Sequence, residues 1–141
     1  MADLTSLIRL HKHELDGKRV ALAQLYAALA ALERERRTVE RLYELERQAV
    51  DQSGDIHFTF AQYTETVKQK RAELDRAEAA LEKQIEQAKD SMMDTFSEMK
   101  KYEMTQAERE RLEEEERRVR ESRDMDDIGI EGFRRKDGDG H

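Results

Sequence analysis

The residues with the chemistry for metal binding or catalysis are few and badly placed for it. His11 and His13 are two apart, a spacing that turns them in different directions on a helix, and His57 lies far along the chain. They do not make a chelating set, and the sequence predicts no metal site. The carboxylates at 113–116 form a run of four glutamates. Without a pocket to exclude water and shift their pKa values, such a run is a solvated helix face. Ser91 and Thr95 sit among ordinary charged neighbours, and no glycine-rich loop precedes a helix in the manner of a phosphate cradle. The expectation is a protein that is not an enzyme and takes no cofactor. It should act by touching other proteins.

Residues suited to such contacts fall in three places. Met92, Met93, Met99 and Met104 concentrate in one part of the chain, either as seam packing or as a docking surface that repacks around varied partners. Phe60, Tyr63 and Val67 follow a turn signal and carry the same two readings. Ile128, Ile130 and Phe133 form a short apolar motif inside a polar tail, either a linear recognition motif or a segment that folds back.

The elements that position these residues are helices. Residues 51–63 hold the one strong interruption: Gly54 permits a positive φ just past a helix end. Thr59-Phe60-Ala61-Gln62 has capping-box spacing, with Phe58 and Tyr63 placed as a hydrophobic staple. The expected fold is all-α, a long antiparallel two-helix coiled-coil hairpin. Helix one is expected at about 4–52, the turn at about 53–58 and helix two at about 59–104. The second helix continues or restarts, at the capping-box spacing of Thr105 to Glu108, to about residue 124. The hairpin domain is thus 1–124, and 125–141 is expected to be a flexible tail, disordered from Lys136 to His141.

Periodicity supports the pairing. In helix one the heptad positions read Met1, Leu4, Ile8, Leu15, Leu22, Leu25, Leu29, Leu32, Val39, Tyr43 and Val50. His11, Lys18, Arg36 and Glu46 are the polar exceptions. Asp3 or Thr5 can cap this helix, Gly17 is a soft spot inside it, and the Ala- and Leu-rich stretch 22–32 is expected to pack best. The second stripe runs Phe60, Tyr63, Val67, Leu74, Ala77 and Leu81, with Lys70 as exception. A four-residue step to Ile85 leads on to Ala88, Met92, Met99 and Tyr102, a stutter. Folding the chain about its turn pairs residues whose numbers total roughly 110, and the two stripes then match. Beyond Thr105, Glu113/Arg117, Glu114/Arg118 and Glu116/Arg120 have i,i+4 spacing, as expected of an unpacked helix.

Composition agrees with a narrow seam. The chain has 141 residues, 42% charged and 37% hydrophobic, with mean hydropathy −1.01 and neither Pro, Trp nor Cys. Disulfides and thiolate metal sites are excluded. No apolar run has the length of a signal or a membrane span, so the expectation is a soluble, cytoplasmic protein without membrane insertion. A net charge of −7 disfavours nonspecific binding to nucleic acid or anionic membranes.

The opening Leu4-Thr5-Ser6-Leu7-Ile8-Arg9-Leu10-His11-Lys12-His13-Glu14-Leu15-Asp16, with Lys18-Arg19, resembles the start of the flagellar export protein FliJ family. The tail Met125-Asp126-Asp127-Ile128-Gly129-Ile130-Glu131-Gly132-Phe133-Arg134-Arg135-Lys136 is similar to the end of its alphaproteobacterial branch. Gly17 stands where such chains more often carry a charged helix former. The resemblance implies a cytoplasmic stalk of the flagellar type III export apparatus, peripheral to its membrane-bound part. Implied partners are the hexameric export ATPase, the cytoplasmic domain of the export gate and export chaperones. It places Met92, Met99 and the charges from Arg109 through Arg117 to Arg120 on the ATPase side. Tyr63 and Val67 face the gate, and Ile128, Ile130 and Phe133 become a tail contact. The expected state is a monomer or a weakly self-associating chain. The equivalent stalk of a virulence injectisome, a coiled-coil adaptor or holdase, and a homodimeric structural rod are the alternative readings.

Overall fold

The computed structural model describes residues 3–53 and 57–139, with side chains described for 3–52 and 58–133. It is all-α: helix α1, Thr5–Ser53, packs antiparallel against helix α2, His57–Asp139, as a helical hairpin. The expected positive φ of Gly54, the seam position of Met1, the side chain of His57 and the end of the tail lie outside the described residues. The chain divides into two compact units.

The larger unit is Lys12–Phe96. Within it every expected seam position of α1 is buried or half-buried except Glu46, and the polar exceptions Lys18 and Arg36 are half-buried with the rest. Its core is Leu15, Val50, Val67, Leu74 and Ile85, all buried, with Thr95 at 5% exposed. Contacts between the helices fix the register: Arg36 reaches Asp75 at 2.8 Å, Arg71 reaches Glu40 at 2.6 Å, and Lys70 reaches Glu35 at 2.8 Å. The residue numbers of these pairs total 105 to 111, in line with the expected antiparallel register.

Two expectations for this unit are corrected. The stutter lies one step earlier than the four-residue step from Leu81: Ala77 is exposed, and Glu78 takes the half-buried position after Leu74. The cause is Arg36, which needs an anion at that level and binds Glu78 at 2.5 Å. The stretch 22–32 is not the best-packed part. Leu22, Leu25, Leu29 and Leu32 remain half-buried, because the flanking alanines are too short to lie over them as long charged side chains do elsewhere.

The other unit is Met1–His11 with Ser97–His141. Asp3 closes the N-terminus of α1, accepting from the backbone N–H of Thr5 at 3.0 Å and from its hydroxyl at 2.7 Å. The hydroxyl bond, with the backbone bond, holds the Asp3 carboxyl below its ordinary value. Leu4, Ile8 and His11 are half-buried, Met99 is buried at 6% exposed, and the His11 and Tyr102 rings lie 5.3 Å apart.

The α2 boundaries differ from expectation at both ends. The helix starts at His57 rather than Thr59. Phe58 is therefore inside the first turn and 77% exposed instead of stapled onto Tyr63. Thr105 starts no new helix: its hydroxyl donates to the Lys101 carbonyl at 2.9 Å within α2. Nor does the helix stop near 124; it runs through the expected tail to Asp139. Arg111 pairs with Glu108 at 2.7 Å and Glu115 at 3.3 Å. Arg117 pairs with Glu114 at 3.1 Å, one residue nearer than the expected Glu113. Such pairs support an exposed helix by a few tenths of a kcal/mol each, and the chain contains no proline to stop it.

Gly17 lies inside α1, and a Cβ built on it meets nothing within 4 Å. Gly17→Ala is expected to stabilise the fold by up to about 1 kcal/mol. A thermal or urea midpoint that rises checks this, and a lower midpoint contradicts it.

Candidate functional site

Polar residues that enter the seam, and apolar residues that leave it, are where this chain departs from a plain coiled coil. The first group sits near the start of α2. Tyr43 is its centre, stacked on Phe60 at 5.6 Å and on Tyr63 at 6.1 Å between ring centres. Its hydroxyl lies 3.4 Å from that of Thr64. Arg71 lies 5.1 Å over the same ring and donates two hydrogen bonds to Glu40, at 2.6 and 2.8 Å. Those bonds hold the Glu40 carboxyl below its ordinary value and raise Arg71 above its own. The arrangement is a bidentate ion pair capped on an aromatic face.

The second group is the Arg36 node, with Asp75 and Glu78 on the partner helix. The bond to Asp75 leads in raising the Arg36 pKa. The third is Lys18, whose ammonium reaches across to the Thr95 hydroxyl and, at 3.3 Å, to the Ser91 carbonyl. Thr95 itself donates to the same carbonyl at 3.2 Å. Among the described residues no buried side-chain polar atom lacks a partner, so each polar intrusion is answered.

The expected contact residues sort by burial. Val67, at 4% exposed, and Met99, at 6%, belong to the core and offer no surface while the helices are paired. Tyr63 and Met92 are half-buried, Tyr63 by its stack on Tyr43. Arg109 is half-buried, and Arg117 is exposed and paired with Glu114. Ile128, Ile130 and Phe133 are exposed at 66%, 53% and 68%, on helix rather than in a loose tail. Met93 and Met104 are also exposed, at 60% and 71%. The apolar surface of the methionine group therefore comes from these two more than from Met92 and Met99.

His11 and His13 separate as their spacing requires. His11 enters the seam, with its Nδ1 2.8 Å from the Leu7 carbonyl, while His13 is exposed. Among the described residues no group of three His, Cys, Asp or Glu is placed to hold a metal ion. Among the described residues, one open groove is lined by Leu112, Val119 and Arg123 along α2 alone. No described helix is long and apolar enough to cross a membrane.

Sequence reasoning named Tyr43, Arg36 and Lys18 only as seam positions. For Arg36 and Lys18 the signal was present, since a charged residue at a heptad core position requires a partner across the interface. Compared with protein-family models, curated proteins and solved structures, the chain matches none.

The Glu40–Arg71 pair makes a pH prediction. A carboxyl held low when folded contributes stability that is present above its unfolded pKa of about 4.3 and is lost as pH falls through the folded value. Glu40 is about half exposed, so the gain is at most about 1 kcal/mol. The urea midpoint of Glu40→Gln should lie below that of the unaltered chain at pH 7, and the gap should close in acid below about pH 4. A gap that persists unchanged in acid contradicts the assignment.

Proposed function

We propose that this chain is a FliJ-like stalk of a flagellar type III export apparatus. It engages the hexameric export ATPase, promotes its assembly and activity, and links it to the export gate and chaperones. Support comes from two FliJ-like segments, 4–19 and 125–136, at the two ends of a chain that forms an antiparallel two-helix hairpin. That combination carries the reading, because either part alone is common among coiled coils.

On this reading, exposure narrows the candidates for each contact. On the ATPase side the exposed candidates are Met93, Met104 and Arg117, together with the charged surface of α2 over residues 111–133, which is exposed on every side. On the gate side Tyr63 is half-buried, and Phe58 is 77% exposed. The apolar tail residues Ile128, Ile130 and Phe133 serve as a further contact. The protein acts in the cytoplasm, peripheral to the membrane-bound apparatus.

Hydrolysis by the host's flagellar export ATPase, measured with and without this protein, tests the reading. Stimulation and co-elution with the ring are expected, with a loss of at least about tenfold in apparent affinity when Arg111, Arg117 and Arg120 are reversed to Glu, since like charges across an interface are costly. An active ATPase that neither binds the chain nor responds to it overturns the reading. The injectisome ATPase is the next partner to assay in that event.

A further inference from the structure

Residues 20–32 contain no charged side chain, the longest such run in a chain that is 42% charged. Four leucines of this run take the seam. The other nine positions are a valine, a glutamine, a tyrosine and six alanines, and all nine are exposed. A helix apolar on every side is normally covered on every side, yet α2 covers only one. The seam leucines stay half-buried for the same reason. A groove lined by Tyr26, Leu29, Ala30, Glu33 and Glu78 opens on this face.

The charges that bracket the run identify what covers it. Asp16, Arg19, Ala23, Tyr26, Ala30, Glu33 and Arg37 follow one another at alternating steps of three and four, so they share one stripe of α1. This stripe is self-complementary under a two-fold axis beside Tyr26. Arg19 of one copy then meets Glu33 of the other, Asp16 meets Arg37, and Ala23 meets Ala30. A parallel copy would set Asp16 on Asp16 and Arg19 on Arg19, which like-charge repulsion disfavours.

Within one chain these charges are only loosely engaged. Arg19 and Asp16 stand 3.5 Å apart, as do Arg37 and Glu33, and all four are at least half exposed. Docking one pair against the other gives every charge a second opposite neighbour. Ala23 and Ala30 leave room on either side of the axis, where the two Tyr26 side chains meet, so the helix axes pack within the ordinary range of about 8–10 Å. An isologous contact of this kind closes on itself and stops at two copies.

We propose that the flank of α1 from Asp16 to Arg37, beside the seam, is a self-association surface, on which a second copy of this chain docks antiparallel about a two-fold axis at Tyr26. The inference stands whether or not the chain serves as an export stalk.

Sedimentation equilibrium of the full chain tests it, with helicity followed by circular dichroism. The unaltered chain should show a concentration-dependent monomer–dimer equilibrium. Arg19→Glu alone and Glu33→Arg alone should each weaken it by about tenfold or more, with helicity unchanged. An equimolar mixture of the two variants should recover it, because both ends of the mixed dimer are complementary. Orientation is read by disulfide trapping, since the chain has no cysteine of its own. Ala23→Cys mixed with Ala30→Cys should cross-link into a mixed dimer, and Ala23→Cys alone should not. Two results overturn the proposal: a chain that stays monomeric up to about 1 mM, the weak end of measurable association, or Ala23→Cys trapped efficiently against itself.

Discussion

Everything in this fold depends on a seam between two helices, with no third layer to share the load. Among the described residues only six apolar side chains are buried. A core so narrow cannot bury enough surface to make errors of alignment costly by hydrophobicity alone, because leucine against leucine is nearly as good one heptad along. What distinguishes one register from the next is polar. Arg36 finds Asp75 and Glu78, Lys18 finds Thr95, and Arg71 finds Glu40 only when the helices are aligned as observed. Slippage would strand these cations against apolar surface, where an unanswered charge is far more expensive than a lost methylene.

The same pairs explain the irregularity in α2. An unbroken heptad repeat would place Ala77 in the seam opposite Arg36. The helix instead presents Glu78, taking two successive four-residue steps, and the local unwinding that this entails is the cost of meeting the guanidinium. Ion pairs exposed at the surface add little to stability. Arg36 is different in kind, because its side chain is 73% covered and held from two sides.

Much of this was legible in the sequence. Spacing located the half-buried and buried positions of α1, polar exceptions included, apart from Leu7, and named one position, Glu46, that is exposed; it also paired the helices in the correct direction and register. The misses have physical causes. The stutter was misplaced because apolarity favoured Ala77 over Glu78, while the structure was decided by a charge on the other helix. Residues 22–32 were read as the best-packed part since they are the most apolar. Alanine adds apolarity without reach, so it leaves its leucine neighbours open. The end of α2 was set near 124, where the hydrophobic pattern fades, although a helix needs only propensity and i,i+3 or i,i+4 pairs to continue. Of the candidate contacts, exposure separated Ile128, Ile130 and Phe133 from the buried Val67 and Met99. Periodicity could not do that for the tail, because it has no seam to be in phase with.

The central claim is that polar contacts across the seam select one antiparallel register. The most direct measurement is the distance between spin labels on cysteines placed at the exposed positions Arg34 and Arg76, in a chain with no other thiol. With helix axes about 8–10 Å apart, the account predicts a single narrow short distance that broadens when Arg36 is replaced by Leu. A distance lengthened by the roughly 10 Å of a one-heptad slip, or one that is narrow and unchanged in Arg36→Leu, would contradict it.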